Sequence, residues 1–304
     1  MAYDKNGLTA YVEQNKDKVL YQFVLGGTTI GKMVKQTGIK SSAKINRIGL
    51  DPIFQDGSEC GFTPQGDVKL TQRQITTGAI KVNMELCDRD LLGTYAEYQV
   101  RVAATGATMP FEQEIVEVLT KKVTAKMEKA VWQGDTASSD ESLARFDGLL
   151  KIANAESGVK KVSASASSAY DAISAVYEAL PEELLDPEAK TAIFVSPDTY
   201  RKFTKELMEK NLYHHPSTAD GSNPAEIFFP GSDVKVVKAN GLAGSNKIFA
   251  TYEDNLYYGC DLENATEDVK VWFSDDDDKF KVKALWNAGV QIAFPDMVVL
   301  ATLA

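Results

Sequence analysis

The two histidines, His214 and His215, are the first candidates for chemistry, because a neutral imidazole is a common metal ligand. They stand side by side before Pro216, and no cysteine or third histidine lies nearby in the chain to complete a site. The aspartate run at 275–278 is a second candidate, for a hard cation such as Ca²⁺. Consecutive side chains diverge, however, whereas Ca²⁺ needs spaced oxygens that converge. The sequence therefore predicts a polar loop, a solvated turn and no metal site.

The three cysteines, Cys60, Cys87 and Cys260, are widely spaced, and no C-x-x-C pair occurs. An odd, sparse set is typical of reduced thiols in a cytoplasm, and not of a disulfide framework or a zinc site. Cys60 and Cys87 would each need a neighbouring base to act as a nucleophile, and neither has an obvious one in the sequence.

Motifs of the common enzyme classes are missing as well. The chain lacks G-x-S-x-G, G-x-x-x-x-G-K-[ST], H-E-x-x-H and a G-x-G-x-x-G that opens a helix. The segment GIKS at 38–41 resembles the end of a phosphate-binding loop but lacks the earlier glycine at the required spacing. We therefore predict that the protein is not an enzyme and has no catalytic residue and no cofactor.

Composition places the chain among ordinary soluble proteins. Its 304 residues are 44% apolar and 25% charged, enough for one large domain or two modest ones. No apolar run approaches the roughly 20 residues that cross a bilayer. The first residues, MAYDKNGLTAYVEQNKDK, lack the apolar segment of a secretory signal. The expectation is a protein that is neither secreted nor bound to a membrane.

The net charge of −10 is unevenly distributed along the chain. Residues 1–50 hold eight Lys or Arg and three Asp or Glu, a balance of +5, so the other residues carry −15. A basic segment on an acidic body can indicate that one end faces a polyanion. The alternative is that these charges are simply spread along a solvated arm, and charge alone does not separate the two interpretations.

The N-terminal half alternates between helical and extended patterns. Apolar positions at 8–24 predict one or two short helices that end at Gly26-Gly27, and residues 28–50 have no strong period and are interpreted as an arm. Residues 67–77 and 78–86 predict a long hairpin whose first strand is largely polar. Such a hairpin is not stable alone in water and should lie along another surface.

The clearest predicted helix extends over Met109–Trp132. Its apolar residues recur every four positions and form a stripe, which indicates packing against the rest of the protein. Ser167 or Ser168, with Asp171 three residues after Ser168, predicts the start of a second helix, and Ser196-Pro197 starts a third that ends near Lys210. Beyond that, short β-rich segments predict strands, including a hairpin around the aspartate run.

The order of these elements resembles the Hong Kong 97 fold of the major capsid proteins of tailed phages. Particular segments strengthen the resemblance, which covers nearly the whole chain. They are QTGIK at 36–40, FQDGSECGFTPQGD at 54–67, IKVNMELCDRDLLGTYAEYQ at 80–99, MEKAVWQGDT at 127–136, FDGLLKIANAE at 146–156, FFPGSDVKVVKANGL at 228–242, ATYEDNLYYGCDL at 250–262 and NAGVQIAFPDMVVL at 287–300. None of them is a chemical signature, so the resemblance depends on the ordered set.

The resemblance implies an α+β fold with four parts. Residues 1–50 would form the N-terminal arm and 51–90 the extended loop. Residues 91–150 and 266–304 would form the peripheral domain around the spine helix, and 151–265 the axial domain. It also implies a function: a structural subunit of an icosahedral shell around double-stranded DNA, assembled in the host cytoplasm and located in the virion capsid.

The implied partners are many copies of the same chain in hexamers and pentamers, a portal, non-specific double-stranded DNA and, as a further candidate, a decoration protein. A separate scaffolding protein is expected, because a spine helix near residue 110 leaves no room for a built-in scaffolding region. The alternatives are an encapsulin-type nanocompartment shell on the same fold, or an enzyme or tail component without a recognisable motif.

Eight residues are predicted to make contacts between subunits. Three are in the extended loop, Lys69, Gln72 and Arg73, and five are lysines of the basic arm: Lys16, Lys18, Lys32, Lys35 and Lys40. The arm lysines could also touch DNA, but we favour neighbouring subunits because an arm across neighbours meets an acidic surface first. Some relatives cross-link a loop lysine to a neighbour's asparagine; no partner for Lys69 can be matched.

Overall fold

The computed structural model describes residues 5–54, 66–87, 111–212, 227–261 and 269–304. Its helices are α1 (Lys5–Gln14), α2 (Lys16–Leu25), α3 (Phe111–Gln133), α4 (Leu149–Ala155), α5 (Ala169–Glu178) and α6 (Pro197–Glu209). None of the helices in these ranges is both long enough and apolar enough to span a membrane. Together with three β-sheets they form a mixed α+β fold, as predicted.

The strands form two larger sheets and one isolated ribbon. They are β1 (Val34–Gln36), β2 (Ser42–Pro52), β3 (Gly66–Thr76), β4 (Gly78–Cys87), β5 (Lys160–Ala164), β6 (Thr191–Val195), β7 (Ile227–Phe228), β8 (Lys235–Lys238), β9 (Lys247–Tyr252), β10 (Leu256–Asp261), β11 (Lys270–Ser274), β12 (Lys279–Ile292) and β13 (Val299–Leu303).

The five-stranded sheet is organised around β12, its longest strand. One edge of β12 pairs with β4, and the other pairs with β11 and then β10, both antiparallel. β1 adds to β10 in parallel. The alternation of buried and exposed residues along β12 places Phe280, Val282, Ala284 and Trp286 in the core. The predicted hairpin around the aspartate run is confirmed as β11–β12, and its turn is exposed.

The six-stranded sheet has the order β5-β13-β9-β6-β8-β7, with α5 and α6 packed against it. Its strand β6 is fully buried, in keeping with an uninterrupted apolar run at the centre of a sheet. The C-terminal strand β13 lies inside this sheet, between β5 and β9. Residues 299–303, from the segment predicted as peripheral, thus pair with strands from the segment predicted as axial, and the domain boundaries stay a prediction.

The predicted hairpin of residues 67–86 is wrong in its pairing. β3 pairs with β2 over eleven residues, from Ser42 opposite Thr76 to Pro52 opposite Gly66, and forms a two-stranded ribbon. β4 belongs to the five-stranded sheet instead. The apolar residues of β4 pack on the core, whereas β2 and β3 are too polar to join a buried sheet.

The N-terminal helices are part of the main core. α2 buries Leu20, Phe23 and Val24 against α3 and β12, and Phe23 contacts the ring of Trp286. The break predicted at Gly26-Gly27 is confirmed by the end of α2 at Leu25. Residues 28–36 were interpreted as part of an arm without a core of its own. They pack on the body of the chain, and the side chain of Ile30 is fully buried there.

Candidate functional site

The predicted contact residues belong to several separate elements. Lys16 and Lys18 are at the start of α2, and Lys32 and Lys35 lie in the turn and strand that follow it. Lys40 lies between β1 and the ribbon. The third group, Lys69, Gln72 and Arg73, is in β3. The structure therefore does not gather them into one patch, and their role between subunits stays a prediction.

The base of the ribbon is anchored to the five-stranded sheet. Ile45 and Ile75 are buried in a small apolar cluster with Ile39. At Gly289 the ribbon passes so close that a Cβ atom would collide with the carbonyl oxygen of Thr76, so only glycine fits there. The side-chain amide of Gln291 also donates a hydrogen bond of 2.7 Å to the carbonyl oxygen of Gln74. The ribbon therefore leaves the body in a fixed direction.

Arg73 is part of this anchor. Its guanidinium donates to the carboxylate of Glu156 and, at 3.3 Å, to the side-chain oxygen of Gln291. The hydrogen bond from Arg73 lowers the pKa of the Glu156 carboxyl, with burial acting in the opposite direction. One of the predicted contact residues thus has a partner within its own chain.

We expect Arg73→Gln to lower the free energy of unfolding of the unassembled subunit by about 1 kcal/mol at neutral pH, the upper end for a partly exposed pair. Because the pKa of Glu156 is lowered on folding, this stabilisation exists at neutral pH and disappears as the carboxyl is protonated in acid. Chemical denaturation at pH 7 and at pH 3 measures both effects. Unchanged stability combined with lost assembly would instead assign Arg73 to a contact between subunits.

The far end of the ribbon is apolar and exposed. Phe54 is fully exposed and Ile53 has 55% of its surface exposed, while Leu70, further back along β3 and opposite Ile48, is 72% exposed. At about 3.3 Å per residue, eleven paired residues place this end about 35 Å from the base. Large exposed apolar side chains on a projecting element are typical of a contact with another molecule. Gln72, which was predicted for this role, is exposed as well.

The arm lysines differ in their surroundings. The ammonium of Lys32 forms an ion pair of 2.8 Å with Glu253, just before β10, so its partner is in its own chain. Lys18, Lys35 and Lys40 are exposed, and Lys16 is partly buried. Within the described ranges, no acidic group lies within ion-pair distance of these four lysines. They stay candidates for contacts with neighbours or with DNA.

A buried carboxylate that the sequence did not reveal fixes the segment after α2. Glu128 of α3 is almost fully buried and accepts hydrogen bonds from the backbone N–H of Thr29, at 3.1 Å, and from the hydroxyls of Thr28 and Thr29. The hydroxyl of Thr29 in turn accepts a 2.9 Å hydrogen bond from the indole of Trp132. Burial raises the pKa of Glu128, although these hydrogen bonds oppose the shift.

The described residues offer little for catalysis. They contain no group of three or more His, Cys, Asp or Glu placed to hold a metal ion. Burial raises the pKa of the Cys260 thiol to about 11, so it stays protonated at neutral pH and is a poor nucleophile. His214, His215 and Cys60 lie outside the described residues. The absence of a catalytic site stays a prediction.

Comparison with known proteins gives a likeness in structure alone. No protein-family model matches the chain, and no curated protein matches it in sequence. A chain of the satellite phage P4 procapsid that includes the size determination (Sid) protein matches with a TM-score of 0.62 and 10% identity, over 99% of this chain and 92% of that one. The chain has the fold of phage capsid proteins.

Two further structures share this capsid fold. Gordonia phage Cozz matches with a TM-score of 0.58 and 11% identity, over 91% of this chain and 86% of that one. A virus-like particle from Pyrococcus furiosus matches with a TM-score of 0.53 and 14% identity, over 96% and 99%. Identities this low show the fold alone, and the capsid fold serves more than one kind of shell.

Proposed function

We propose that the protein is the major capsid protein of a tailed phage, a subunit of an icosahedral shell that encloses double-stranded DNA. The observation that carries the proposal is the β2–β3 ribbon, which is fixed at its base and exposes Ile53 and Phe54 at its end and Leu70 further back along β3. A two-stranded ribbon is marginal by itself in water. In a symmetric shell, every ribbon would meet an identical neighbour.

We propose the parts of the Hong Kong 97 fold for this chain, with the extended loop at 42–76, where the ribbon lies. In this proposal α3 is the spine helix, the five-stranded sheet is the core of the peripheral domain, and the six-stranded sheet is the core of the axial domain. The predicted boundaries then shift. The loop begins within 1–50 and ends before β4, the strands β1, β4 and β10 join the peripheral domain, and β13 joins the axial domain.

Hexamers and pentamers of the chain, a separate scaffolding protein, a portal and a decoration protein belong to the same proposal, as does assembly in the host cytoplasm. For the arm lysines we propose neighbouring subunits as partners, in preference to DNA. Lys32 pairs with Glu253 of its own chain, so the proposal concerns the other four lysines, for which the −15 balance outside residues 1–50 supplies acidic partners.

An encapsulin-type nanocompartment shell is the second candidate. The match to the Pyrococcus furiosus virus-like particle over nearly the whole of both chains supports this candidate. Both candidates need the ribbon between subunits, so the ribbon does not distinguish them.

Electron microscopy of the protein produced with and without its genomic neighbours tests the proposal. We expect closed shells, and DNA-filled shells with a portal at one vertex when the neighbouring gene products are present. Small shells that lack DNA and enclose a protein cargo would favour the second candidate. A protein that stays monomeric under all conditions would contradict both.

A further inference from the structure

The charges of α3 are divided between its two halves. Its first seven residues contain three glutamates, whereas from Val118 onward all the exposed charged residues are lysines. The acidic residue of this second half, Glu128, is buried against Thr29. The exposed charge of the second half is therefore +4, in a chain whose net charge is −10. The four lysines are Lys121, Lys122, Lys126 and Lys129.

The helix dipole does not explain the positions of these lysines. Cations stabilise the last turn of a helix, where the unpaired carbonyl groups carry partial negative charge. The last turn of α3 holds no basic residue, and Lys122 lies eleven residues before Gln133, where the helix ends. Like charges at a spacing of three or four, such as Lys122 with Lys126 and Lys126 with Lys129, destabilise a helix. An anionic partner outside the helix would offset this cost.

The subunit itself does not supply that partner within the described ranges, where none of the four lysines forms an ion pair. Glu117, one turn before Lys121, accepts a 2.9 Å hydrogen bond from the side-chain amide of Gln113 instead. Lysines elsewhere in these ranges do find acidic neighbours, as Lys151 does at 2.7 Å from Asp135. The lysines of α3 are therefore available to an anion from another molecule.

Three of the four lysines lie together on the outermost side of α3. With 3.6 residues per turn, Lys121, Lys122 and Lys129 fall within about 100° of the helix circumference, and the first and last are about 12 Å apart along the axis. Val118 and Ala125, which are also exposed, lie in the same arc. These five residues form the α3 crest, a convex surface that carries only positive charge.

The α3 crest and the base of the ribbon lie on opposite sides of the five-stranded sheet. α3 packs on the sheet face that carries Val282, which lines a small apolar cavity together with Val116 of α3. The ribbon contacts β12 at Gly289 and Gln291. Because successive side chains of a strand point to opposite faces, these two positions lie on the face opposite to Val282. The ribbon of the same chain therefore leaves the crest uncovered.

Another basic surface of the described chain is less suited to a polyanion. Lys279, Lys281 and Lys283 of β12 lie on the sheet face that the ribbon contacts. The ammonium of Lys279 is 2.8 Å from a carboxylate oxygen of Glu85, and Lys281 pairs with an aspartate of the adjacent turn. The four aspartates of that turn, 275–278, are exposed and would repel a polyanion. The crest has no such acidic border.

Double-stranded DNA is the polyanion that fits the α3 crest. Its duplex carries one phosphate charge per 1.7 Å of axis, so the roughly 12 Å between Lys121 and Lys129 faces about seven phosphates. Lysine ammonium groups contact phosphates as point charges and do not read bases. A convex helix can reach a phosphate backbone without a pocket, whereas the anchoring side chains of a protein partner bind in well-packed pockets.

We propose that the α3 crest of each subunit faces the interior of the shell and contacts the phosphates of the packaged DNA. Three lysines give a weak contact that is independent of sequence, and the repetition of the subunit around the shell multiplies it. The net negative charge of the chain limits the attraction, so DNA can still slide during packaging. This inference rests on the proposed shell function and names the surface that meets the genome.

Removal of the crest charges tests the contact. K121Q/K122Q/K129Q should lower the affinity of the folded subunit for a mixed-sequence DNA duplex at low salt by roughly tenfold or more, and the slope of log affinity against log salt concentration should become shallower by about two to three. Fluorescence anisotropy of a labelled duplex measures both quantities, and circular dichroism checks the fold. In shells, the same variant should assemble normally when empty, and its filled shells should release DNA at a lower temperature.

The matched control is K279Q/K281Q/K283Q, which removes the same charge from the opposite face of the sheet. This variant should bind the duplex nearly as the unaltered subunit does. The inference is overturned by a crest variant that binds the duplex unchanged, by a control that loses as much affinity, or by an unaltered subunit that does not bind the duplex at low salt.

A second variant separates DNA from a protein partner. Val118→Ser removes an apolar side chain that is 55% exposed on the crest and keeps every charge, so duplex binding and shell assembly should both stay unchanged. If Val118→Ser or the crest variant fails to form empty shells although the subunit folds, the crest contacts protein, and the inference is wrong while the shell function stands. If the unaltered protein forms no shells under any condition, the proposed function fails and this inference with it.

Discussion

Shortening the β2–β3 ribbon is expected to abolish shell formation and to leave a folded, soluble subunit. The variant replaces residues 48–70 by a two-residue Asn-Gly turn, which joins Arg47 to its cross-strand partner Thr71. Sedimentation and electron microscopy should then find subunits or small oligomers and no closed shells.

The reason is that the ribbon consists of two parts with different tasks. Its base, with Ile45 and Ile75, is buried in the subunit and stays in the shortened variant. The removed part carries the exposed Ile53, Phe54 and Leu70, whose apolar surface is not buried in the described part of the chain. Their removal takes away little folding energy, and a shorter connection also costs less closure entropy. The midpoint temperature of thermal unfolding of the subunit should therefore change by only a few degrees.

A control separates the loss of a contact surface from the loss of exposed apolar area in general. Met208→Ser removes an apolar side chain that is 57% exposed on α6, far in sequence from the ribbon. This variant should assemble like the unaltered protein. Normal shells from the shortened ribbon would show that the ribbon is dispensable for assembly and would remove the main support of the proposed function.

The helices of this fold were predictable because their local signals are strong. The stripe at a spacing of four predicted the helix that the structure places at Phe111–Gln133. Ser168 accepts a hydrogen bond from the backbone N–H of Asp171, as the capping pattern predicted. In each case, neighbours within one turn determine the structure.

The pairing of the ribbon was not predictable in the same way. β2 follows a segment without a strong period, and its partner β3 begins after an intervening segment of more than ten residues. The shorter connection between β3 and β4 favoured a hairpin between those two strands, and the prediction followed it. The apolar face of β4 is better buried against β12, so tertiary packing overrode the local preference.

The role of the ribbon between subunits stays a prediction, and the residues exposed at its end did not emerge from the sequence. The polarity and length of β3 indicated a surface between subunits, yet the exposed Ile53 and Phe54 beside it were not singled out. Arg73 was singled out as a charged residue of the polar strand, and it pairs with Glu156 in its own chain. A charge in a sequence does not reveal its partner when the partner is 83 residues away.

Replacing Glu128 by alanine is expected to destabilise the subunit by about 2–3 kcal/mol, because the buried N–H and hydroxyl of Thr29 lose their acceptor. The segment that follows α2 and leads into β1 loses its hydrogen bonds to α3 at the same time. Chemical denaturation of the unassembled subunit measures the change. The control is Glu117→Ala, at a partly exposed position on the same helix, which should lower the free energy of unfolding much less.

Glu128→Gln, unlike Glu128→Ala, should not lower the free energy of unfolding at neutral and alkaline pH and is expected to raise it. Burial raises the pKa of Glu128, so the native state favours the protonated carboxyl, and its contribution to stability is full in acid and is lost as the pH rises through the folded-state pKa. The glutamine keeps an oxygen that can accept from Thr29 and never carries the buried charge. We therefore expect the glutamine variant to be at least as stable as the unaltered protein at pH 8, with a smaller advantage or none at pH 4. A glutamine variant as unstable as the alanine variant at pH 8 would contradict this expectation. It would show that the charged carboxylate is what stabilises the segment after α2.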